Sequence, residues 1–225
     1  CPMDTTVIAI DGYASTGKST LSKRLATHLG FTYVDTGYMF RVIALLVLEN
    51  KWLNEEEITL APLTAALAEL QFSWLFQEKG QKLMAVNGKV YGEELRTAEV
   101  SNLVSKVAAI PAVRTHLLQQ QRDLSKSASV VMDGRDIGTV VFPNAQYKFF
   151  LNASPEIRAQ RRFEEMQAKG IPGTYEEVLA NVIQRDQMDS SRAVAPLKKS
   201  EDAIEIDTSS LNVDEVFALL RDYLA

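Results

Sequence analysis

The run Gly12-Tyr13-Ala14-Ser15-Thr16-Gly17-Lys18-Ser19 has the spacing G-x-x-x-x-G-K-[ST], with a lysine and a hydroxyl directly behind the second glycine. A loop of this kind turns its backbone N–H groups inward around a phosphate. Glycine permits the turn and the close approach of backbone to anion. Lys18 would set its ammonium against the β- and γ-phosphates, the Ser19 hydroxyl would ligate Mg²⁺, and Thr20 continues the same phosphate-binding stretch. A helix opening there adds the positive end of its dipole. The motif implies triphosphate binding. It does not say what is transferred, or to what.

The remaining candidate chemistry is cationic. Arg41, Arg96, Arg114, Arg135, Arg185 and Arg192 fall at element ends or on helices that follow strand termini. Arg158, Arg161 and Arg162 share one helical face. No nucleophile–base pair accompanies them. His28 and His116 are the only histidines, neither lies in a strand-end loop, and Cys1 is the one cysteine, so no Cys/His zinc cluster can be built. That combination fits one reaction. A phosphate monoester acceptor, with a second pKa of about 6, is already ionised near pH 7 and needs no base. Two polyanions must instead be held together against their repulsion, and positive side chains do that.

These residues need a frame. Thr6–Ile10 is a short, almost wholly apolar run, the pattern of a strand buried on both faces. The glycine-bearing loop follows, then Leu21, Leu25 and Leu29 at four-residue spacing, with Gly30 as the stop. Phe31–Val34, Val130–Met132, Tyr147–Leu151 and Ala203–Ile206 read as further buried strands. Asn54 with Glu57 predicts a capped helix reaching about Leu70. Phe72–Phe76, Leu83–Val86 and Lys89–Tyr91 read as short strands, with Asn87-Gly88 as a hairpin turn between the last two. Two helices split at Ile110-Pro111 follow. Ser154-Pro155 starts another helix, Tyr175 to about Met188 forms the next, and Val213–Leu224 closes the chain. Five strands alternating with helices predict a three-layer α/β fold around a parallel sheet. Ligands in such sheets sit beyond the carboxyl ends of the strands. Gly12–Ser19, Asp35–Gly37 and Asp133–Asp136 all fall there.

The 225 residues, 46% hydrophobic and 24% charged, suffice for one globular domain with small lobes. A net charge of -5 argues against a protein that neutralises many nucleic-acid phosphates. One cysteine fits a reducing cytoplasm, and no apolar run reaches the roughly 18 residues of a membrane span. The start lacks a basic n-region and a long apolar stretch, so no signal peptide is expected; Cys1-Pro2-Met3 reads as a leftover ahead of a native Met3. No dimer stripe is visible, so a monomer is expected.

The chain resembles the bacterial-type cytidylate kinases, P-loop nucleoside monophosphate kinases, over nearly its whole length. Besides the phosphate loop, the likeness lies in Asp35-Thr36-Gly37-Tyr38-Met39-Phe40-Arg41, Glu94-Leu95-Arg96-Thr97, the run from Asp133-Gly134-Arg135-Asp136 to Pro143, and Arg185 through Arg192 with Ala193–Leu197 after it. The resemblance implies phosphorylation of CMP and dCMP by Mg²⁺-ATP. It implies that Lys18, Arg41, Arg135 and Arg192 are catalytic, the three arginines gripping the acceptor phosphate. Thr36, Arg114 and Asp136 would read the cytosine edge, and Arg185, Asp189 and Ser105 the sugar. Asp136 suits cytosine physically, since it can accept from the exocyclic amine where uracil offers a carbonyl.

The same resemblance implies a division of the chain. A core would span about 4–35, 107–155 and 172–225, with an NMP-binding region at about 36–106 that carries an inserted β-containing lobe at about 70–106. A short helical lid at about 156–171 would bring Arg158, Arg161 and Arg162 to ATP. Tyr13 stands where that family commonly has proline, and Thr36 where serine is common. The alternatives are a kinase of UMP, AMP or dTMP, and a P-loop nucleotide switch. For the switch, the nearest guanine signature, Asn50-Lys51-Trp52-Leu53, lacks its aspartate.

Overall fold

The computed structural model describes residues 4–80 and 82–225. Cys1-Pro2-Met3 and Gln81 lie outside the described residues. In chain order the elements are β1 (Val7–Gly12), α1 (Lys18–Leu29), β2 (Thr32–Asp35), α2 (Thr36–Glu49), β3 (Leu53–Asn54), β4 (Glu57–Ile58), α3 (Leu60–Leu67), β5 (Phe72–Phe76), β6 (Lys82–Val86), α4 (Ala98–Ala108), α5 (Pro111–Leu124), β7 (Val130–Gly134), β8 (Tyr147–Asn152), α6 (Pro155–Ala168), α7 (Tyr175–Ser191), β9 (Ile204–Asp207) and α8 (Val213–Leu224). Residues up to Val34 together with Ala128–Ala225 form one compact unit, and Asp35–Ser127 form a second. α5 therefore groups with the second unit, whereas the sequence places 107–127 with the core.

The first unit is built on a parallel sheet of five strands in the order β2-β7-β1-β8-β9. β1 lies between β7 and β8, with Ile8 opposite both Val131 and Tyr147, and it is buried at every position. That double burial is why its sequence runs apolar instead of alternating. Ile8 and Ile10 pack with Leu21 and Leu25 of α1 and with Phe217 and Leu220 of α8. Each such side chain contributes about 2 kcal/mol by leaving water. Helix ends follow the sequence signals. Gly30 ends α1 with φ 70, Ser154 accepts the Ile157 amide ahead of Pro155, and Asn212 with Glu215 completes a capping box on α8. Ala159 of α6 meets Val178 and Val182 of α7 in a small core of their own.

The second unit holds α2, α4 and α5, with Val42, Ile43, Val47, Val100, Val107, Val113 and Leu117 buried. Two expectations fail here. Asn54 and Glu57 do not cap a helix. They pair across β3 and β4, where Leu53 faces Ile58, and the Thr59 amide donates to the Trp52 carbonyl at 2.7 Å. Those backbone groups are then unavailable to a helix, so α3 starts only at Leu60 and ends at Leu67. The second failure is the strand Lys89–Tyr91. Asn87 and Gly88 do form a turn with φ 50 and 81, but only Val86 and Lys89 bridge across it. β6 pairs instead with β5, Phe72 opposite Val86, and the Tyr91 amide donates to the Tyr38 hydroxyl at 3.0 Å.

Candidate active site

The phosphate loop leaves β1 through a backbone that only glycine fits. At Gly12 (φ 155) a Cβ would stand 2.1 Å from the Leu151 carbonyl oxygen of the neighbouring strand. Gly17, at φ 84, is the N-cap of α1 and brings no side-chain cap. The first N–H groups of α1 are thus left for an anion. The loop is folded on one of its own carbonyls. Tyr13 O accepts from Thr16 Oγ1 at 3.0 Å and from Lys18 Nζ at 3.1 Å. Ala14, Thr16 and Lys18 are buried, Ser15 sits at φ 61, and Ser19 and Thr20 are exposed. Ser19 offers a hard hydroxyl oxygen at the helix start, the donor type Mg²⁺ takes alongside phosphate oxygens and water. Among the described residues no group of three or more His, Cys, Asp or Glu is placed as a metal cage.

β7 runs parallel beside β1, so Asp133–Asp136 emerge at the same sheet edge as the loop. Asp133 is buried and accepts from the Tyr33 hydroxyl at 2.9 Å. Asp136 is buried and opens a π-helical turn, Ile137–Val141. That turn is clamped by Asp11, whose two carboxylate oxygens accept from Ile137 N at 2.9 Å and Gly138 N at 2.7 Å. Burial pushes the Asp11 carboxyl up to about 6, against the pull of those two amides; the charge of Asp136 adds to the rise and Lys18 opposes it.

α7 supplies the next group. Arg185 and Asp189 stand four residues apart on one helical face, and Arg192 follows at the helix end. The buried carboxylate of Asp189 lies between two of the expected phosphate arginines. Arg135 Nε donates to Oδ2 at 3.1 Å, and Arg192 Nη1 faces Oδ1 at 3.6 Å. Arg192 also donates to the Ala195 carbonyl at 2.8 Å. Arg185 is half-buried on the same helix.

The arginines of α6 do not act alike. Arg158 is 1% exposed and forms a bidentate pair with Asp186. Arg161 is turned to Thr208 and Leu211, donating to the Thr208 hydroxyl at 3.1 Å and to the Leu211 carbonyl at 3.5 Å. Arg162 is half-buried and has no hydrogen bond or ion pair among the described residues.

The other expected residues belong to the second unit. Thr36 is buried at the first position of α2, where the Asp35 side chain caps by accepting from the Tyr38 amide. Arg41 Nη1 donates to the Leu95 carbonyl at 3.0 Å and to Ser101 Oγ at 3.1 Å. Arg114 is buried, donates to the Ala108 carbonyl at 2.9 Å and lies 5.1 Å from the Phe40 ring. Ser105 is buried on α4. Arg96 is exposed, His116 bonds the Leu70 carbonyl, and His28 meets Phe217 edge-on.

Sequence reasoning missed Asp11 and Asp186. Asp11 carried a signal, a lone acid closing an otherwise apolar strand. Asp186 carried none, because its partner lies 28 residues away.

The comparisons agree with this layout. A family model described as cytidylate kinase matches residues 8–225. The cytidylate kinase of Flavobacterium johnsoniae is 49% identical over 216 residues, covering 96% of this chain and 94% of that protein. That of Flavobacterium psychrophilum is 47% identical over 216 residues, covering 96% of each. Among solved structures, an uncharacterized protein from Eubacterium ventriosum superposes with a TM-score of 0.51 over 98% of both chains at 14% identity, a likeness of fold alone. A family match over almost the whole chain, and relatives sharing nearly half its residues, place this chain in the cytidylate kinase family.

Proposed function

We propose that this protein transfers the γ-phosphoryl group of ATP to CMP and dCMP, releasing ADP with CDP or dCDP. The observation that carries the reading is the buried Asp189 carboxylate between Arg135 and Arg192. Two guanidinium groups are thereby gathered at an edge of the sheet that also bears the phosphate loop. Paired cations of this kind suit a dianionic phosphate better than a neutral acceptor.

The acceptor phosphate attacks as it stands, since it is ionised near neutral pH. Arg135 and Arg192 neutralise it, and Arg41 is the third arginine assigned to that phosphate. Lys18 lies folded on Tyr13 O and turns to the β- and γ-phosphates when ATP occupies the loop. The Ser19 hydroxyl would be the protein's ligand to a Mg²⁺ ion bound with ATP, which would supply positive charge to the triphosphate. The helix-start amides after Gly17 hold the β-phosphate; of the α6 arginines expected at ATP, Arg158 is held by Asp186 and Arg161 by Thr208 and Leu211, and Arg162 is the one left to meet ATP directly. Thr36, Arg114 and Asp136 read the cytosine edge, and Ser105, Arg185 and Asp189 hold the sugar. Water exclusion around these charges raises their worth in the transition state.

The test is ADP release with ATP and CMP, dCMP, UMP, AMP or dTMP in turn. CMP and dCMP are expected to give the highest kcat/KM. A higher value for AMP or dTMP would refute the substrate assignment.

A further inference from the structure

Arg158 makes four hydrogen bonds that the proposed chemistry does not use. A guanidinium has five N–H donors. Arg158 Nε donates to the Ala153 carbonyl at 2.9 Å and Nη1 to Asp186 Oδ1 at 3.0 Å and the Ala14 carbonyl at 3.3 Å. Nη2 donates to Asp186 Oδ2 at 2.6 Å. The Tyr13 ring covers the group at 4.9 Å, and that ring is itself held edge-on by Phe150 at 6.0 Å. One guanidinium thus joins the end of β8, helix α7, and the Tyr13-Ala14 stretch of the phosphate loop.

The connection continues to Lys18. Tyr13 meets Arg158 through its ring and Lys18 through its carbonyl. A side chain that fixes the ring of Tyr13 and the carbonyl of Ala14 fixes the peptide plane between them. That plane carries the oxygen on which Lys18 and Thr16 rest. The loop has Ser15 at a positive φ immediately afterwards, so its path is not set by local preference alone. A rigid brace outside it supplies the missing constraint.

We propose that Asp186 and Tyr13 are positioning residues that hold Arg158 as a fixed strut of the phosphate loop, setting the loop's shape for ATP; this rests on the reading of the loop as the ATP site. Asp186 orients the guanidinium by bidentate bonding, and removing one oxygen leaves a buried cation half-paired. Tyr13 transmits the position by covering the guanidinium face.

The experiment compares Asp186→Asn, Tyr13→Leu and Tyr13→Phe with the parent protein. The readouts are kcat, the separate KM values for ATP and CMP, calorimetric binding of a non-hydrolysable Mg²⁺-ATP analogue, and melting temperature. Asp186→Asn and Tyr13→Leu are expected to weaken the analogue and raise KM for ATP by roughly tenfold, one such decade being about 1.4 kcal/mol, with KM for CMP moved less than twofold. Tyr13→Phe keeps the ring and is expected to recover at least half of the Tyr13→Leu loss on a logarithmic scale. Should Asp186→Asn fail to fold, the two Tyr13 variants decide alone. A fall in melting temperature with ATP binding unchanged, or equal rises in both KM values, would overturn the strut. A parent protein that binds the analogue but does not phosphorylate CMP would instead count against the substrate assignment and leave the strut testable by binding.

Discussion

The loop after β1 and the turn after β7 leave neighbouring parallel strands, yet the first combines hydrogen bonds of its own with a brace from Arg158, while the second is clamped by the neighbouring strand. Thr16 and Lys18 fold the phosphate loop onto the carbonyl of Tyr13, three and five residues away. The Ile137–Val141 turn is held by Asp11, 126 and 127 residues from the amides it accepts. Under the proposed assignment, the difference matches what each would recognise. Phosphate is presented by every nucleotide, and backbone amides recognise it whatever the base. A pyrimidine edge demands one acceptor at one place, and that place is set by tertiary contacts.

The largest effect is expected at the phosphate loop. Lys18→Ala should lower kcat/KM by on the order of 10³, as loss of a charge that acts on the transferring phosphate does. Steady-state rates within tenfold of the parent would mean that the loop does not act on that phosphate. Gly12→Ala comes next and probes the scaffold instead of the chemistry. Its Cβ would meet a backbone oxygen at 2.1 Å, so β1 and β8 must part. A loss of about 4 kcal/mol, and a melting temperature lower by on the order of 10 °C, is expected by calorimetry. An unchanged melting temperature would show that the strand ends yield.

The smallest effect lies on the clamp. The Asp11 carboxyl rises from 3.8 to about 6 in the folded protein. The folded chain therefore keeps this proton up to higher pH than the unfolded chain does. Its contribution to stability is complete below pH 3.8 and is lost as pH rises to about 6, at most about 3 kcal/mol. Asp11→Asn removes the titration and can accept only one of the two amides. The stability gap between parent and Asp11→Asn should be widest near pH 4 and shrink by pH 7, read from melting at each pH. A gap constant with pH would mean that Asp11 titrates alike folded and unfolded.

These contrasts also explain what the sequence could show. The five sheet strands and the phosphate loop were legible because each is encoded within a dozen residues, in an apolar run or in two glycines before Lys18, but β2 and β9, expected to be buried, are only part-buried. The Asn54 signal misled because it is a local pattern overruled by the pairing of Trp52 with Thr59, whereas Asn87-Gly88 does make its turn and only the strand expected after it stops at Lys89. Arg158, Arg161 and Arg162 looked equivalent at helical spacing, yet Asp186 and Thr208 claim the first two and leave the third. Helical spacing gives direction, not partners. The clamp by Asp11 and the pairing of Arg135 and Arg192 through Asp189 depend on distant chain segments, so no window of sequence contains them.

The central claim is that Asp136, on the clamped side, reads the cytosine edge while the phosphate loop serves any nucleotide. Its direct measurement is kcat/KM for CMP and for UMP, each with saturating ATP, in the parent and in Asp136→Ala. The account predicts a CMP-to-UMP ratio that falls roughly 10- to 100-fold in the variant, mostly through CMP, with KM for ATP unchanged. Equal losses for CMP and UMP would contradict it and make Asp136 a part of the frame.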